Sequence, residues 1–69
     1  MKIKAEHITD LPPGSVVRIK GVEWVRLVDE PNLHLNDMVC NPRTGYWTSW
    51  MCLVLLDDEI EVLKRGDLE

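Results

Sequence analysis

Val16-Val17-Arg18-Ile19-Lys20-Gly21-Val22-Glu23-Trp24-Val25 decides the fold, because it reads as a hairpin with one favoured register. With Lys20-Gly21 as a two-residue turn, Ile19 faces Val22, Arg18 faces Glu23, Val17 faces Trp24 and Val16 faces Val25. Opposed residues share a face of the sheet. One face then gathers Val17, Ile19, Val22 and Trp24, and the other gathers an Arg-Glu pair and two valines. Moving the turn to Gly21-Val22 sets Val25 against Arg18 and Arg26 against Val17, mixing charge with core. A one-residue slip is therefore costly.

Outward from this hairpin, Ile3 and Ala5 alternate with Lys2, Lys4 and Glu6, the pattern of a short edge strand. Thr9-Asp10-Leu11-Pro12-Pro13-Gly14 reads as a rigid corner. Its prolines cannot donate to a ladder, and Gly14 permits a sharp turn into Ser15. The hairpin strands are expected over 15–20 and 22–28, with Asp29-Glu30-Pro31-Asn32 breaking the second. Leu33 and Leu35 are expected to tuck under one end of the core.

Met38-Val39-Cys40 and Tyr46-Trp47-Thr48 flank Asn41-Pro42-Arg43-Thr44-Gly45, whose turn chemistry predicts a second hairpin with Gly45 left-handed. Residues 49–56 fit one or two helical turns capped by Thr48, or a buried strand. Asp57-Asp58 is a turn signal. Glu59 to Lys64 alternates as a last strand with Ile60 and Val62 inward; a short helix ending at Gly66 is the rival. The expected class is mainly β: a small SH3-like barrel or sandwich of about five strands in a single domain, 1–69, with room for a short helical turn near 49–55.

Sixty-nine residues, 45% hydrophobic and 29% charged, suit one small globular domain and not a disordered chain. Such a chain buries only about 60% of the surface it exposes unfolded, so a compact barrel or dimerisation is expected to add stability. The net charge is −4, and the eight basic residues are scattered over positions 2, 4, 18, 20, 26, 43, 64 and 65. Phosphate contacts need clustered cations, so nucleic acid is a disfavoured partner. Met1-Lys2-Ile3-Lys4 lacks the apolar stretch of a signal peptide, and the longest apolar run, Trp50 to Leu56, is too short for a bilayer. The expectation is a cytoplasmic protein with reduced thiols and no membrane partner.

Cys40, Cys52, His7 and His34 are the soft metal ligands of the chain. Structural zinc sites usually hold paired ligands about two to four residues apart. Here the cysteines are twelve positions apart and the histidines are isolated, so buried thiols and no metal are expected. Cys40 with His34 and Asp37 has the composition of a nucleophile, base and orienter, but no hydrolase signature surrounds it. No enzyme activity, catalytic residue or cofactor is expected. Asp57, Asp58, Glu59 and Glu61 lack the spacing of a calcium loop and read as a solvated turn and strand face.

The four aromatics carry the functional expectation, and three of them lie within positions 46–50. Trp24 should fill the core together with one of Trp47 and Trp50. The other is left outward, beside Tyr46 and Arg43. Exposed Trp and Tyr with a nearby Arg is the composition of an interface hot spot. Arg43, Tyr46, Trp47 and Trp50 are therefore the candidate partner-contact residues.

Leu11-Pro12-Pro13-Gly14-Ser15-Val16-Val17-Arg18 followed by Val22-Glu23-Trp24-Val25-Arg26-Leu27 resembles small β-rich proteins of unknown function from actinobacteria and their phages. Gly45-Tyr46-Trp47 and Glu61-Val62-Leu63 match later parts of that pattern loosely, while 30–37 has no counterpart. The resemblance implies a small β-barrel of mobile-element type and carries over no catalytic residue. The functional expectation is a non-enzymatic protein-binding module, with a partner of unknown identity or a second copy in a homodimer. The alternatives are a nucleic-acid-binding regulatory barrel using Arg18, Lys20, Arg26 and Arg43, and a structural homo-oligomer subunit.

Overall fold

The Val16–Val25 hairpin forms in the predicted register, with Ile19↔Val22, Arg18↔Glu23, Val17↔Trp24 and Val16↔Val25 opposed. Its strands are β2 (Val16–Ile19) and β3 (Val22–Arg26). Lys20 and Gly21 have φ of 50° and 81°, the paired positive values of a type I′ turn. The structure is a computed structural model that describes residues 1–28 and 37–66. The expected strand break at 29–32 and the inward placement of Leu33 and Leu35 lie outside the described residues.

The other elements are β1 (Lys2–Lys4), a 3₁₀ segment η1 (Ala5–Asp10), β4 (Met38–Cys40), β5 (Trp47–Ser49), a 3₁₀ turn η2 (Trp50–Cys52) and β6 (Glu59–Lys64). The strands form one antiparallel sheet in the order β1-β6-β2-β3-β4-β5. The mainly β expectation holds, with six strands among the described residues where about five were expected. No ladder joins β1 to β5, so the sheet is not closed into a barrel. Charge supports the β1–β6 pairing: Lys2 opposes Glu61 and Lys4 opposes Glu59.

The strand reading of 59–64 holds, with Ile60 and Val62 buried. The short helical turn expected near 49–55 is η2. It is capped by Ser49, whose Oγ accepts from the Met51 amide at 3.3 Å, and not by Thr48, which stays in β5. The sequence reading carried the first strand on to Ala5 and Glu6, but the chain leaves the strand after Lys4. Ala5, Ile8 and Leu11 recur every three residues and are all buried. That is the spacing of one 3₁₀ face. The Ala5 and Glu6 amides donate to the carbonyls of Asp58 (2.7 Å) and Leu56 (3.1 Å), so the turn before β6 satisfies the start of η1.

At the corner, Gly14 has φ +88° and donates to the Arg26 carbonyl at 2.7 Å. Fully buried Ser15 donates through Oγ to the Pro12 carbonyl (2.7 Å) and accepts from the Gly66 amide (2.8 Å). Gly66, the expected end of a rival helix, instead lies against this corner. A β-carbon there would run into the Pro13 carbonyl.

The core sits on the sheet face that carries Val17, Ile19, Trp24, Val39, Ile60 and Val62. Ala5, Ile8 and Leu11 cover it from η1, and Trp50 and Val54 from the segment after β5. Each large side chain buried here contributes about 1.5–3 kcal/mol. Val22, expected on this face, is 42% exposed. It adjoins the hairpin tip, beyond the Val25–Arg26 stretch that β4 pairs with, so no neighbouring strand covers it. Arg26 alternates with Trp24 onto the core face and is only 4% exposed.

Candidate functional site

The second hairpin is set by its turn. The Asn41 side-chain oxygen accepts from the Arg43 amide at 2.9 Å, an Asx turn. Gly45, at φ +76° as expected, donates to the Asn41 carbonyl at 2.8 Å. The Tyr46 amide donates to Thr44 Oγ1 at 3.2 Å. β4 and β5 then pair as Cys40↔Trp47, Val39↔Thr48 and Met38↔Ser49.

Alternation along this strand separates the predicted contact residues. Thr48 opposes core residue Val39, so Tyr46, two positions earlier, lies on the core side. Its ring meets Trp24 edge-on, with centroids 6.3 Å apart and planes at 67°. Trp47 points to the opposite face. Tyr46 is 60% exposed and Trp47 53% exposed, so two aromatic rings stand on either side of one edge strand. Arg43 lies exposed in the preceding loop. It helps line a cleft of about 500 Å³ with Arg18, Val22, Glu23 and Asn41, which also takes in Gly21 and Thr44 of the two turns.

Trp50 leaves the predicted patch. It follows the strand in η2, is 2% exposed and fills the core. Its indole Nε1 has no hydrogen-bond acceptor among the described residues. The expectation that one of Trp47 and Trp50 joins Trp24 inside is met, with Trp47 the outward one.

The outer face behind Trp47 is apolar in one row from β5 to β2. Register sets Trp47 beside Cys40, Cys40 beside Val25 and Val25 beside Val16. At the bulge in the β2–β6 pairing between Val16 and Val17, Val16 pairs with Lys64, so the apolar row ends at β2 with Leu63 and Lys64 at its margin. Cys40, Val25 and Val16 are half-buried, and Leu63 is exposed.

The backbone of β5 is free on its outer side among the described residues. Asn41 donates to the Tyr46 carbonyl (2.7 Å), and Trp50 donates to the Asp37 carbonyl (3.1 Å). Bonded pairs alternate in an antiparallel ladder, so residues 46, 48 and 50 bond toward β4. The N–H and C=O of Trp47 and Ser49 therefore point away from the sheet. The opposite edge is different, because β1 carries Lys2 and Lys4 on its outer face. Charged side chains of this kind blunt an edge against further pairing, and β5 has none.

The remaining candidates are accounted for locally. Cys40 is half-buried, and its thiol donates to the Asn41 carbonyl at 3.7 Å. Cys52, expected to be a buried thiol, is exposed because η2 turns it away from the core side that Trp50 occupies. Asp37 lies 3.6 Å from the buried Arg26 guanidinium, and His34 is outside the described residues. His7 lies between Glu6 and Asp10 on the exposed side of η1. Asp58 Oδ2 accepts from the Leu55 amide at 3.0 Å, Glu59 pairs with Lys2 at 3.7 Å and Glu61 pairs with Arg18 at 2.6 Å. The acidic stretch is thus a turn and an outer strand face.

Sequence reasoning missed three exposed apolar side chains: Met51, Leu55 and Leu56 are all more than half exposed. The clue was an apolar run of seven residues without an obvious strand partner. No helix among the described residues is long and apolar enough to cross a membrane. No family model matches the chain, and neither a curated protein nor a solved structure matches it.

Proposed function

We propose that this chain is a non-enzymatic binding module that docks another polypeptide along the free edge of β5. The observation that carries this reading is an uncharged strand edge, unpaired among the described residues, with an exposed aromatic ring on each side, Trp47 outside and Tyr46 inside. Strand addition supplies affinity through main-chain hydrogen bonds and selectivity through alternate side chains. An incoming segment meets Trp47 with one set of side chains and the Tyr46–Trp24 pair with the other. Rigid aromatic anchors of this kind carry most of the energy of a small interface. Arg43 stands at its rim, where a charge tunes the encounter rate more than the affinity.

The nucleic-acid alternative draws less support. Arg26 is buried, and Arg18 is engaged by Glu61 and by Glu23 at 3.8 Å. Of the four cations named for that role, Arg18 and Arg43 line one cleft, which Glu23 shares, and Arg26 lies in the interior.

The test is site-specific photocrosslinking in the cell of origin. A benzophenone amino acid replaces Trp47 in one sample and Lys2, on the opposite edge, in another. Discrete protein adducts from position 47 that position 2 does not give are the expected result. Equal or absent adduct formation at the two positions overturns the reading.

A further inference from the structure

Of the two edges of the sheet, β5 is the one that can meet its own copy without setting like charges together. We propose that two copies of this chain pair β5 to β5, antiparallel, about a two-fold axis through Thr48, to make one continuous twelve-stranded sheet. This rests on the reading that β5 docks a polypeptide, and it names the occupant.

Three observations support it. First, the outward backbone groups belong to Trp47 and Ser49, one residue to each side of Thr48. Under the two-fold, Trp47 exchanges both main-chain hydrogen bonds with the partner's Ser49, and Ser49 does so with the partner's Trp47. Each large side chain then lies against a small one. Thr48 meets the partner's Thr48, a pairing of threonines that sheets favour.

Second, the axis stands perpendicular to the sheet, so both outer faces lie on one side. Trp47 and the partner's Trp47 become diagonal neighbours on that face, within about 7–8 Å and so in reach of aromatic side chains. The apolar row from Val16 through Val25 and Cys40 to Trp47 then continues into its copy.

Third, charge permits this edge and opposes the other. β5 carries no charged residue, whereas β1 paired with itself would set Lys2 and Lys4 against their copies. Glu59 and Glu61 sit on β6, four strands from β5. At about 4.8 Å per strand that is about 19 Å along the sheet, well beyond the screening length of about 8 Å in physiological salt. These two acids of β6 therefore add little repulsion at this edge.

Sedimentation velocity of the full chain over a range of about 1 µM to 1 mM reads the outcome. A concentration-dependent monomer–dimer equilibrium is expected. Ser49→Pro removes an outward N–H without touching the β4 ladder, and Ser49 already has φ −69°, which proline adopts. It should weaken the dimer about tenfold or more. Ser49→Ala loses the same side-chain cap but keeps the N–H, and should dimerise as the parent does. Trp47→Lys sets like charges on the diagonal and should also leave a monomer, with circular dichroism showing the fold intact. A chain that stays monomeric throughout, or a dimer indifferent to Ser49→Pro and Trp47→Lys, overturns the proposal. A monomer that still gives foreign-protein adducts from position 47 overturns self-pairing alone and leaves the docking function standing.

Discussion

Trp47 and Trp50 are three residues apart and have opposite energetic roles. Trp50 closes the core, and removing a buried Trp costs about 3–5 kcal/mol. A domain of this size has total stability of about that order. Trp50→Ala should therefore unfold the chain, while Trp47→Ala should cost less than about 1 kcal/mol. Urea titrations followed by circular dichroism separate the two; equal destabilisation would contradict the placement. Ser15 and Gly66 make a second test. Ser15→Ala strands the Gly66 amide and loses two hydrogen bonds, at a cost of about 1–3 kcal/mol. Gly66→Ala drives a methyl group into the Pro13 carbonyl and should lower the melting temperature, whereas Gly66→Ala with no thermal effect would mean that the close approach is absent in solution.

At the scale of elements, the β2–β3 turn is legible in the chain because its chemistry is local. Lys20 bears a positive φ that costs about 1–2 kcal/mol for an ordinary side chain. Lys20→Asn should stabilise the domain by about 0.5–1 kcal/mol, since Asn-Gly is the preferred pair for this turn. Gly21→Ala should destabilise it by about 1 kcal/mol or more. A thermal melt showing the reverse order would exclude the type I′ geometry. The Asn41–Gly45 turn and the Ile60/Val62 strand were readable for the same reason. η1 was less so: its threefold Ala5-Ile8-Leu11 spacing overlaps the strand alternation of Lys2–Glu6. What ends the strand is a tertiary contact, the bonding of the Ala5 and Glu6 amides to the 56–58 turn.

Across the whole molecule, β6, β2 and β3 lie inside the sheet, while β1 and β5 are its edges. In dilute solution the amides of Val17 and Trp24, paired across β2 and β3, should exchange slowest, and those of β5 that face outward, Trp47 and Ser49, fastest. Hydrogen exchange followed by NMR reads this directly. Slow exchange at Trp47 in dilute monomer would mean that its N–H is not on a free edge.

The chain by itself determined the hairpin register, the two turns, the inward Ile60 and Val62 and the mainly β class. Each follows from side-chain alternation or turn chemistry acting over a few residues. Which tryptophan is outside, that Tyr46 and Trp47 stand on opposite sides of one strand, that Arg26 is buried, that Val22 and Cys52 are exposed and that β5 is an edge were decided only by the tertiary structure. Those properties depend on which distant strands cover which residues, and no short stretch of sequence records that.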